Sequence, residues 1–470
     1  MDVDITLEDY ASPFSTRYGS VAMRRIFSEK NRRLIWRRIW IALAETQQKF
    51  GLVTAEQVED LRLHAPDVTL ERALEIEKEI GHDVMAEVRA FAELCPIGGG
   101  IIHWGATSAD ITDNADVLRM RDGMDLLLDG LSGLLKSLAA QIGRYSGLTV
   151  LGYTHLQPAE PTTLGYRLAM YGQDLLEHYE DLRRVRDGLR GKGMKGAVGT
   201  AASYGEILKD KGLSPDVIDA TVMESLGLKA FPVTSQTYPR IQDYRLLAAL
   251  AGLAASLHKA AFDLRILQSA GFGEVREPVG SRQVGSSAMP FKRNPVKSEN
   301  VCSLARFVAA LPDVAWQNAA QNLLERTIDD SANRRSILPE AFLASEEMLR
   351  VMTGIVDGLD VDEAGCRANL KRFGAFSASE RVLMALVAAG ADRQAMHERI
   401  REHSRKAWDA LREGRDNPLA DFLAADLEML KHLQPARIRD LMDAGAYVGS
   451  APERAREMAR RITAALGPSE

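Results

Sequence analysis

The chain has 470 residues, enough for about two or three domains, and its 46% hydrophobic and 26% charged residues are typical of a globular protein with a large core. Its 59 basic and 65 acidic side chains leave a net charge of -6, which excludes the uniformly basic surface of a nucleic-acid binder, so anion-binding groups must be local. Three widely spaced cysteines, Cys95, Cys302 and Cys366, argue against a disulfide framework or a thiolate metal site and favour a reducing cytoplasm.

The first twenty residues are polar and acidic, so they lack the basic start and the apolar run of a secretory signal. The longest apolar stretches, such as residues 246–257, are shorter than the roughly 20 apolar residues that span a bilayer. We therefore expect a cytoplasmic protein without a membrane segment.

Three long helices are predicted from apolar residues that recur at steps of three and four, over residues 117–138, 164–189 and 247–264. Sheet signals are weak, because aromatic residues make up only 6% of the chain and no run of alternating β-branched residues occurs. Helices of about 25 to 30 residues are roughly 40 Å long, which suits a long bundle. The third helix holds more Ala and Gly than one buried face requires, so we expect it to be buried and able to contact other subunits.

Polar, turn-forming segments interrupt these helices and hold the candidate functional residues. They are residues 96–108, 148–163, 191–205, 272–295 and 325–333. After about residue 360 the pattern changes to shorter amphipathic pieces, separated by GAFSAS, AAGADR, EGRDNP and AGAYVGSAPE. This change predicts a separate small helical domain at the end of the chain.

The strongest motif is GSSAMPFKRNP, at residues 285–295. Its glycine permits movement before the serine pair, and Lys292 and Asn294 place a cation and amide donors near the hydroxyls of Ser286 and Ser287. A serine acts as a base only where such neighbours stabilise its alkoxide. An isolated serine pair is more often part of a surface turn that ends at proline.

A second candidate is His155, in a loop that contains Pro158 and Pro161 and ends at Thr162, a possible N-cap for the following helix. Imidazole titrates near neutral pH, so it can protonate a departing nitrogen. A single loop histidine is, however, more often an ordinary polar surface residue.

Thr107 and Ser108 directly precede the first long helix. Their hydroxyls and the free N–H groups of the helix start can bind a carboxylate. Helix capping alone also explains these two residues.

The string G-S-S-x-M-P-x-K-x-N is similar to the signature loop of the fumarase/aspartase superfamily, whose members eliminate fumarate or a related acid from a succinyl group. Further segments resemble one family within it, that of the adenylosuccinate lyases, particularly the branch with the animal enzymes. They are SPFSTRYGS at 12–20, GHDVMAEV at 81–88, HWGATSAD at 103–110, YTHLQPAEPTT at 153–163 and ERTIDDSANRR at 325–335. The resemblance runs in order over essentially the entire chain.

This resemblance implies an all-α fold of three domains, residues 1–112, 113–362 and 363–470, with the signature loop at 280–295. It also implies a homotetramer whose core is formed by the long-helix bundles of four subunits. Each active site would then draw loops from three subunits.

In the catalytic roles that the resemblance implies, Ser286 accepts the proton, while Lys292 and Asn294 stabilise the substrate carboxylate. His155 matches the general acid, and Glu299 matches the carboxylate that orients it. An acidic residue at the beginning of a helix also has an ordinary electrostatic explanation, because it faces the positive end of the helix dipole.

The resemblance also implies a set of substrate contacts. Thr107 and Ser108 would bind a succinyl carboxylate, and arginine forks suit phosphate oxygens, although single arginines are usually solvated. The implied phosphate and nucleotide contacts are Arg17, Tyr18, Arg326, Ser331 and Arg335. The other implied contacts are His82, Asp83, His103, Gln236, Ser287, Met289 and Arg306. The sequence departs from the family pattern at Gly81, where relatives often have a basic residue, and at Phe291, where histidine or tyrosine is common.

The implied activity is release of fumarate from adenylosuccinate to give AMP, and from the succinyl-carboxamide ribotide of the purine pathway. Since no H-E-x-x-H or other compact metal spacing joins His82 and His103, we expect neither metal nor organic cofactor. The partners expected are a nucleotide substrate and further copies of the chain, with no nucleic acid and no membrane.

Two alternatives remain open. One is another superfamily lyase, acting on argininosuccinate, aspartate, malate or carboxymuconate, substrates that need no phosphate clamp. The other is a non-catalytic helical assembly protein. Loss of turnover usually removes proton-transfer residues, and Ser286, Lys292, Asn294 and His155 are all present.

Overall fold

A computed structural model describes residues 10–280, 282 and 286–467 of the chain. Most of these residues are helical. The α-helices before the signature loop are α1 Pro13–Thr16, α2 Val21–Ile26, α3 Glu29–Lys49, α4 Ala55–His64, α5 Leu70–Ile80, α6 Asp83–Leu94, α7 Ser108–Arg144, α8 Leu164–Gly188, α9 Ala202–Leu208, α10 Asp216–Ser225 and α11 Ile241–Gln268. Those after it are α12 Val296–Ala320, α13 Asp330–Asp357, α14 Glu363–Ala388, α15 Arg393–Arg412, α16 Leu419–Ala424, α17 Pro435–Leu441 and α18 Ala451–Leu466. The all-α class predicted from the sequence is confirmed.

The chain divides into two compact units, each assembled from three segments. Unit 1 consists of Met1–Gly130, His178–Ala255 and Ser303–Leu349. Unit 2 consists of Leu131–Glu177, Ser256–Cys302 and Arg350–Glu470. The three domains expected from the resemblance follow chain order instead, and that division stays a prediction.

The predicted long helices correspond to α7, α8 and α11. On α7, the apolar stripe from Val117 to Leu138 is at most 3% exposed at every predicted position. On α11, Leu247, Leu250 and Leu257 are fully buried. Among the described residues, α11 is the one helix whose length and composition would let it cross a membrane. Core helices of globular proteins satisfy the same criterion, and the buried leucines of α11 mark it as such a helix.

Short strands in the described part of the chain form three two-stranded sheets, one of which lies entirely within a segment expected to be a loop. Their bounds are β1 Thr149–Thr154, β2 Gln157–Thr163, β3 Arg190–Gly191, β4 Lys229–Ala230, β5 Val275–Arg276 and β6 Asp360–Val361. β1 and β2 make an antiparallel hairpin with a bulge near Gly152, where a Cβ atom would lie 2.4 Å from the carbonyl oxygen of Glu160. This hairpin occupies the predicted loop 148–163, whose prolines concealed its strand character.

The predicted helix break at GAFSAS is wrong, because α14 continues through it. A Cβ atom on Gly374 would lie 2.9 Å from the Cβ of Ala444, so the glycine permits close packing. The Ser377 hydroxyl donates a hydrogen bond to the carbonyl of Ala159. Small residues here allow close contacts with neighbouring elements and do not end the helix. The breaks predicted at the other three segments are confirmed, since α14, α15 and the last helices end or begin there.

The N-cap of α8 is Thr163, and the prediction of Thr162 is wrong by one residue. The Oγ1 atom of Thr163 accepts a hydrogen bond from the backbone N–H of Tyr166 at 3.1 Å. Thr162 lies in β2, where it pairs with Val150. The second strand of the hairpin extends through Thr163, so the helix begins one residue later than a cap at Thr162 would place it. Thr163 therefore caps the free N–H groups of the helix.

Replacing Thr163 with valine removes this cap while preserving side-chain volume. We expect the free energy of unfolding to fall by about 1 kcal/mol, because one helix N–H loses its acceptor in a buried position. Equilibrium urea unfolding, followed by circular dichroism, measures the change. Thr162→Val is the matched control and should leave stability nearly unchanged; equal losses in the two variants would contradict the assignment of the cap.

Candidate active site

Unit 1 contains a cavity of about 450 Å³. Four separate chain segments supply predicted substrate contacts to its lining. These contacts are His82, Asp83, Thr107, Ser108, Gln236, Arg326, Ser331 and Arg335. Six arginines and four carboxylates are among the lining residues. Such a cavity suits a ligand that carries several negative charges.

The first wall of the cavity is the beginning of α7. The Asp110 carboxylate accepts the backbone N–H of Thr107 at 3.0 Å, so this aspartate, and not the threonine hydroxyl, completes the helix start. Within the described residues, no protein group hydrogen-bonds the Thr107 hydroxyl. The Ser108 Oγ lies 3.5 Å from the Nε2 of His82. Capping therefore does not occupy these hydroxyls: that of Thr107 is available to a ligand, and that of Ser108 makes only the long contact with His82.

The Asp110 carboxylate also fixes this helix start to a glycine-rich loop. It accepts hydrogen bonds from the buried ammonium of Lys192, from the backbone N–H of Gly196 at 3.1 Å and from the Tyr204 hydroxyl at 3.2 Å. Lys192 and Asp110 are both fully buried. The position of Thr107 and Ser108 thus depends on an ion pair beneath them.

The second wall is the beginning of α6. His82 is the N-cap residue, and its Nδ1 accepts the backbone N–H of Met85 at 3.3 Å, which leaves Nε2 toward Ser108. Asp83 pairs with Arg335 at 2.8 Å. Burial would raise the pKa of Asp83, but the hydrogen bond and charge of Arg335 outweigh it and hold that pKa below its ordinary value.

The third wall is the beginning of α13 and the segment before it. Arg326 pairs with Asp330, the first residue of α13, at 2.8 Å, and Ser331 follows in the first turn. The backbone N–H of Gln236 donates to the carbonyl of Glu325 at 3.1 Å, which ties the two segments together. A helix start beside arginines is a favourable place for phosphate.

A buried charge network forms the floor of the cavity. Arg240 donates to both oxygens of Asp113, at 2.9 and 3.2 Å, and to Asp330 at 2.7 Å. All three side chains are 2% exposed. Burial would raise the pKa of Asp330, yet Arg240 and the other nearby arginines lower it, so this carboxylate stays ionised. The network joins α7, the segment before α11 and the start of α13.

A second buried arginine extends the floor. Arg334 donates to Asp243 at 2.8 Å and to the Tyr238 hydroxyl at 2.6 Å, and it lies 3.2 Å from Asp116. Tyr238 in turn donates its proton to Asp243, at 2.6 Å. Burial raises the pKa of Tyr238, so the phenol keeps its proton.

None of the sequence motifs marks these floor residues as functional. A signal existed, because Asp113 lies four residues before Val117 and therefore on the buried stripe of α7. A carboxylate on an apolar stripe requires a buried partner. Arg240 offered no comparable signal, since its partners are distant in sequence.

Four predicted contacts of unit 1 lie outside the cavity lining. Arg17 and Arg306 are exposed, whereas Tyr18 is half-buried against the ring of Phe14, with ring centroids 5.5 Å apart. The Nδ1 of His103 accepts the indole N–H of Trp40 at 3.1 Å. Burial lowers the pKa of His103, so the ring is neutral and carries its proton on Nε2.

The predicted acid, His155, belongs to unit 2 and lies in the two-residue turn of the β1–β2 hairpin. His155 and Leu156 have φ angles of 52° and 58°, a left-handed conformation that favours glycine or asparagine. Both residues are exposed, and Leu156 is 60% exposed. A strained, exposed turn that presents an imidazole and an apolar side chain is a feature of functional sites.

The predicted base, Ser286, also belongs to unit 2. Its Oγ accepts the backbone N–H of Met289 at 3.1 Å, a contact that favours negative charge on the oxygen. Ser287, Met289 and Lys292 are exposed, and Asn294 is half-buried. Gly285, for which we predicted freedom of movement, lies outside the described residues.

The end of the signature loop is fixed by the start of α12. The buried carboxylate of Glu277 accepts the N–H groups of Lys297 and Ser298, at 3.1 and 3.0 Å. Glu299, one residue further, lies 3.8 Å from Arg265. No hydrogen bond or ion pair joins Glu299 to His155 within the described residues, and its orienting role stays a prediction.

The two departures from the family pattern fall at open positions. Gly81 ends α5 with a φ angle of 68°, and no atom lies within 4 Å of where its Cβ would be. Phe291 is 82% exposed. No group of three or more His, Cys, Asp or Glu side chains that could hold a metal ion occurs in the described part of the chain.

Two protein-family profiles match separate parts of the chain. The profile of a family described as "Lyase" matches residues 19–309, and that of the "Adenylosuccinate lyase C-terminus" matches residues 375–458. Adenylosuccinate lyase of Saccharomyces cerevisiae is 40% identical over 98% of this chain and 96% of its own. Adenylosuccinate lyase of Schistosoma mansoni is 41% identical over 89% of this chain and 88% of its own.

Solved structures of related enzymes share the fold. A fumarate lyase from Mesorhizobium sp. BNC1 matches with a TM-score of 0.84 and 25% identity, over 96% of this chain and 99% of its own. The 3-carboxy-cis,cis-muconate lactonizing enzyme from Pseudomonas putida gives the same TM-score and coverage with 26% identity. The chain is therefore a lyase and belongs to the adenylosuccinate lyase family.

Proposed function

We propose that this protein eliminates fumarate from adenylosuccinate to give AMP, and from the succinyl-aminoimidazole-carboxamide ribotide of purine biosynthesis. The observation that carries this proposal is the convergence of eight predicted substrate contacts on one cavity of unit 1. Fumarate release by the purified protein from adenylosuccinate, but not from argininosuccinate or aspartate, would support it. Release from either of the latter alone would overturn it.

In the proposed reaction, the Ser286 alkoxide takes the proton from the succinyl carbon next to a carboxylate. The electron pair left on that carbon delocalises into the carboxylate. The bond between the adjacent succinyl carbon and the nitrogen of the purine then breaks. His155 gives its proton to the departing nitrogen, so the products are fumarate and the free amine. The extra negative charge of the intermediate must be stabilised by cations and N–H dipoles.

The residues fit these tasks by their chemistry. Lys292 and Asn294, in the same loop as Ser286, would stabilise the carboxylate that receives the electron pair, and the Met289 N–H already contacts the serine oxygen. Thr107 and Ser108 would bind the other carboxylate. Arg326, Ser331 and Arg335 would bind the phosphate at the start of α13.

Replacing Ser286 with alanine should lower the turnover of adenylosuccinate by about a hundredfold to ten-thousandfold, because the proton acceptor is lost. Exchange of the succinyl hydrogen with solvent should fall in parallel. Ser214→Ala, in an exposed loop, is the matched control and should behave like the wild type. Near-wild-type turnover of the Ser286 variant would remove the assignment of the base.

We also propose that the active enzyme is a homotetramer in which different subunits supply His155 and Ser286. Supporting this arrangement, both the hairpin turn and the signature loop are exposed and carry apolar side chains, such as Leu156 and Phe291. The helix α11 is rich in alanine, and 44% of its most apolar stretch is buried within a single chain. A second copy would cover these surfaces.

Mixing two inactive variants tests this arrangement. When His155→Ala and Ser286→Ala subunits are dissociated and reassociated together, about one quarter of the sites should combine an intact serine with an intact histidine. Fumarate release should return to that extent, and sedimentation should give four times the mass of the chain. No recovery in a mixed tetramer, or a monomeric enzyme, would contradict the proposal.

A cytoplasmic location is the last part of this proposal. Cys95, Cys302 and Cys366 are all buried and unpaired. Burial raises the pKa of Cys95 to about 11 and that of Cys366 to about 12, so neither thiol ionises readily. Free, unreactive thiols are compatible with a reducing compartment.

A further inference from the structure

Arg32 is a lining residue of the cavity that none of the sequence motifs singled out. It lies on α3 and is 9% exposed. Its Nη2 lies 2.6 Å from Glu29, whose own side chain is 60% exposed. Its guanidinium lies over the ring of Trp36, at 5.0 Å from the centroid.

The other arginines of the cavity have stronger partners. Arg240 and Arg334 are satisfied by buried carboxylates, and Arg119 donates to the carbonyls of Ile26 and Phe27 at 3.2 and 2.9 Å. Arg326 and Arg335 each pair with a carboxylate at 2.8 Å.

Arg32 differs from them because its Nε is buried and yet has no hydrogen-bond partner among the described residues. Its one carboxylate partner, Glu29, is well solvated, and solvated ion pairs contribute little. Polar groups removed from water usually have a partner. Arg33 and Arg37 of the same helix also have a buried donor without one, but of these three arginines only Arg32 lines the cavity.

The surroundings of Arg32 select a negatively charged ligand. Burial lowers the pKa of Arg32, and the neighbouring charge of Arg335 lowers it further, against the opposing effect of Glu29. The carboxylate of Asp83 is close to both arginines but is already paired with Arg335. Two neighbouring guanidinium groups that share one such carboxylate leave a local excess of positive charge, which an additional anion can balance.

We infer that Arg32 binds the phosphate of the nucleotide together with Arg335. This inference rests on the proposed function, in which Arg335 is a phosphate contact and the carboxylate end of the substrate lies at Thr107 and Ser108. The Trp36 ring beneath the Arg32 guanidinium limits its movement, and the planar fork of an arginine suits the oxygens of a phosphate. Arg32 would thus be a substrate-binding residue that takes no part in proton transfer.

The test compares binding of AMP with binding of adenosine, which lacks the phosphate, by calorimetry on the full chain. Arg32→Met keeps the side-chain stem over Trp36 and removes the charge. It should weaken AMP binding about tenfold to a hundredfold, while leaving the affinity for adenosine within about twofold of the wild type. Arg32→Lys should recover part of the loss, since it restores the charge without the planar fork.

Arg38→Met is the matched control, because this exposed arginine lies on the same helix and does not line the cavity. It should bind both ligands like the wild type. Steady-state kinetics should show a raised KM for adenylosuccinate in Arg32→Met with kcat nearly preserved. Circular dichroism establishes whether each variant is folded. If Arg32→Met does not fold, Arg32→Lys takes its place in the comparison of AMP with adenosine.

Equal weakening of AMP and adenosine would show a structural role and overturn the inference, as would unchanged AMP binding. Failure of the proposed function is distinguishable, because it would appear as wild-type protein that binds AMP without releasing fumarate from adenylosuccinate. The AMP and adenosine comparison would still decide the role of Arg32 in that case. Wild-type protein that does not bind AMP would overturn both proposals.

Discussion

The arrangement of the candidate site depends on the buried pairing of Arg240 with Asp113 and Asp330. These side chains belong to three distant parts of the chain, and none of them can be removed from water without the others. When they pair, the start of α7, the segment around Gln236 and the start of α13 are brought together. The ligand-facing residues follow on the same segments. The charge network therefore holds these three segments in position. Loss of one partner would leave a buried charge without a counterion, at a cost of about 3–5 kcal/mol.

A floor of satisfied charges also determines which cavity groups remain for a ligand. The arginines of the floor are neutralised by their own carboxylates, so they add little net attraction. Arg326 and Arg335 have single carboxylate partners, the Thr107 hydroxyl has no partner among the described residues, and the Ser108 hydroxyl makes only a 3.5 Å contact with His82. This separation gives one region that suits phosphate and another that suits a carboxylate. A succinylated nucleotide carries both groups.

The sequence predicted the long helices well, because the spacing of apolar residues reports burial directly, as along the stripe that begins at Val117. It predicted eight lining residues of the cavity through family resemblance. The β1–β2 hairpin was missed, since its prolines lie at positions that a short bulged strand tolerates. The GAFSAS segment was misread because Gly374 serves close packing and not a turn. The partners of Arg240 could not be predicted, because contacts between distant segments leave no local pattern.

The binding role inferred for Arg32 could not be predicted from the sequence either. In the sequence it is one of several arginines on an amphipathic helix, and nothing local separates it from Arg38. Only its burial, its unused donor and its position beside Arg335 distinguish it. These properties depend on how the helices pack and are therefore identified from the structure.

We propose that the unit 1 cavity forms the nucleotide end of an active site that Ser286 and His155 of other subunits complete. A crystal structure of the enzyme with AMP and fumarate tests it most directly. We expect phosphate oxygens on Arg326, Ser331 and Arg335, and a fumarate carboxylate on Thr107 and Ser108. We also expect Ser286 and His155 to approach the gap between the two ligands from opposite sides and from different subunits. AMP bound elsewhere, or the two proton-transfer residues on one side of the gap, would contradict it.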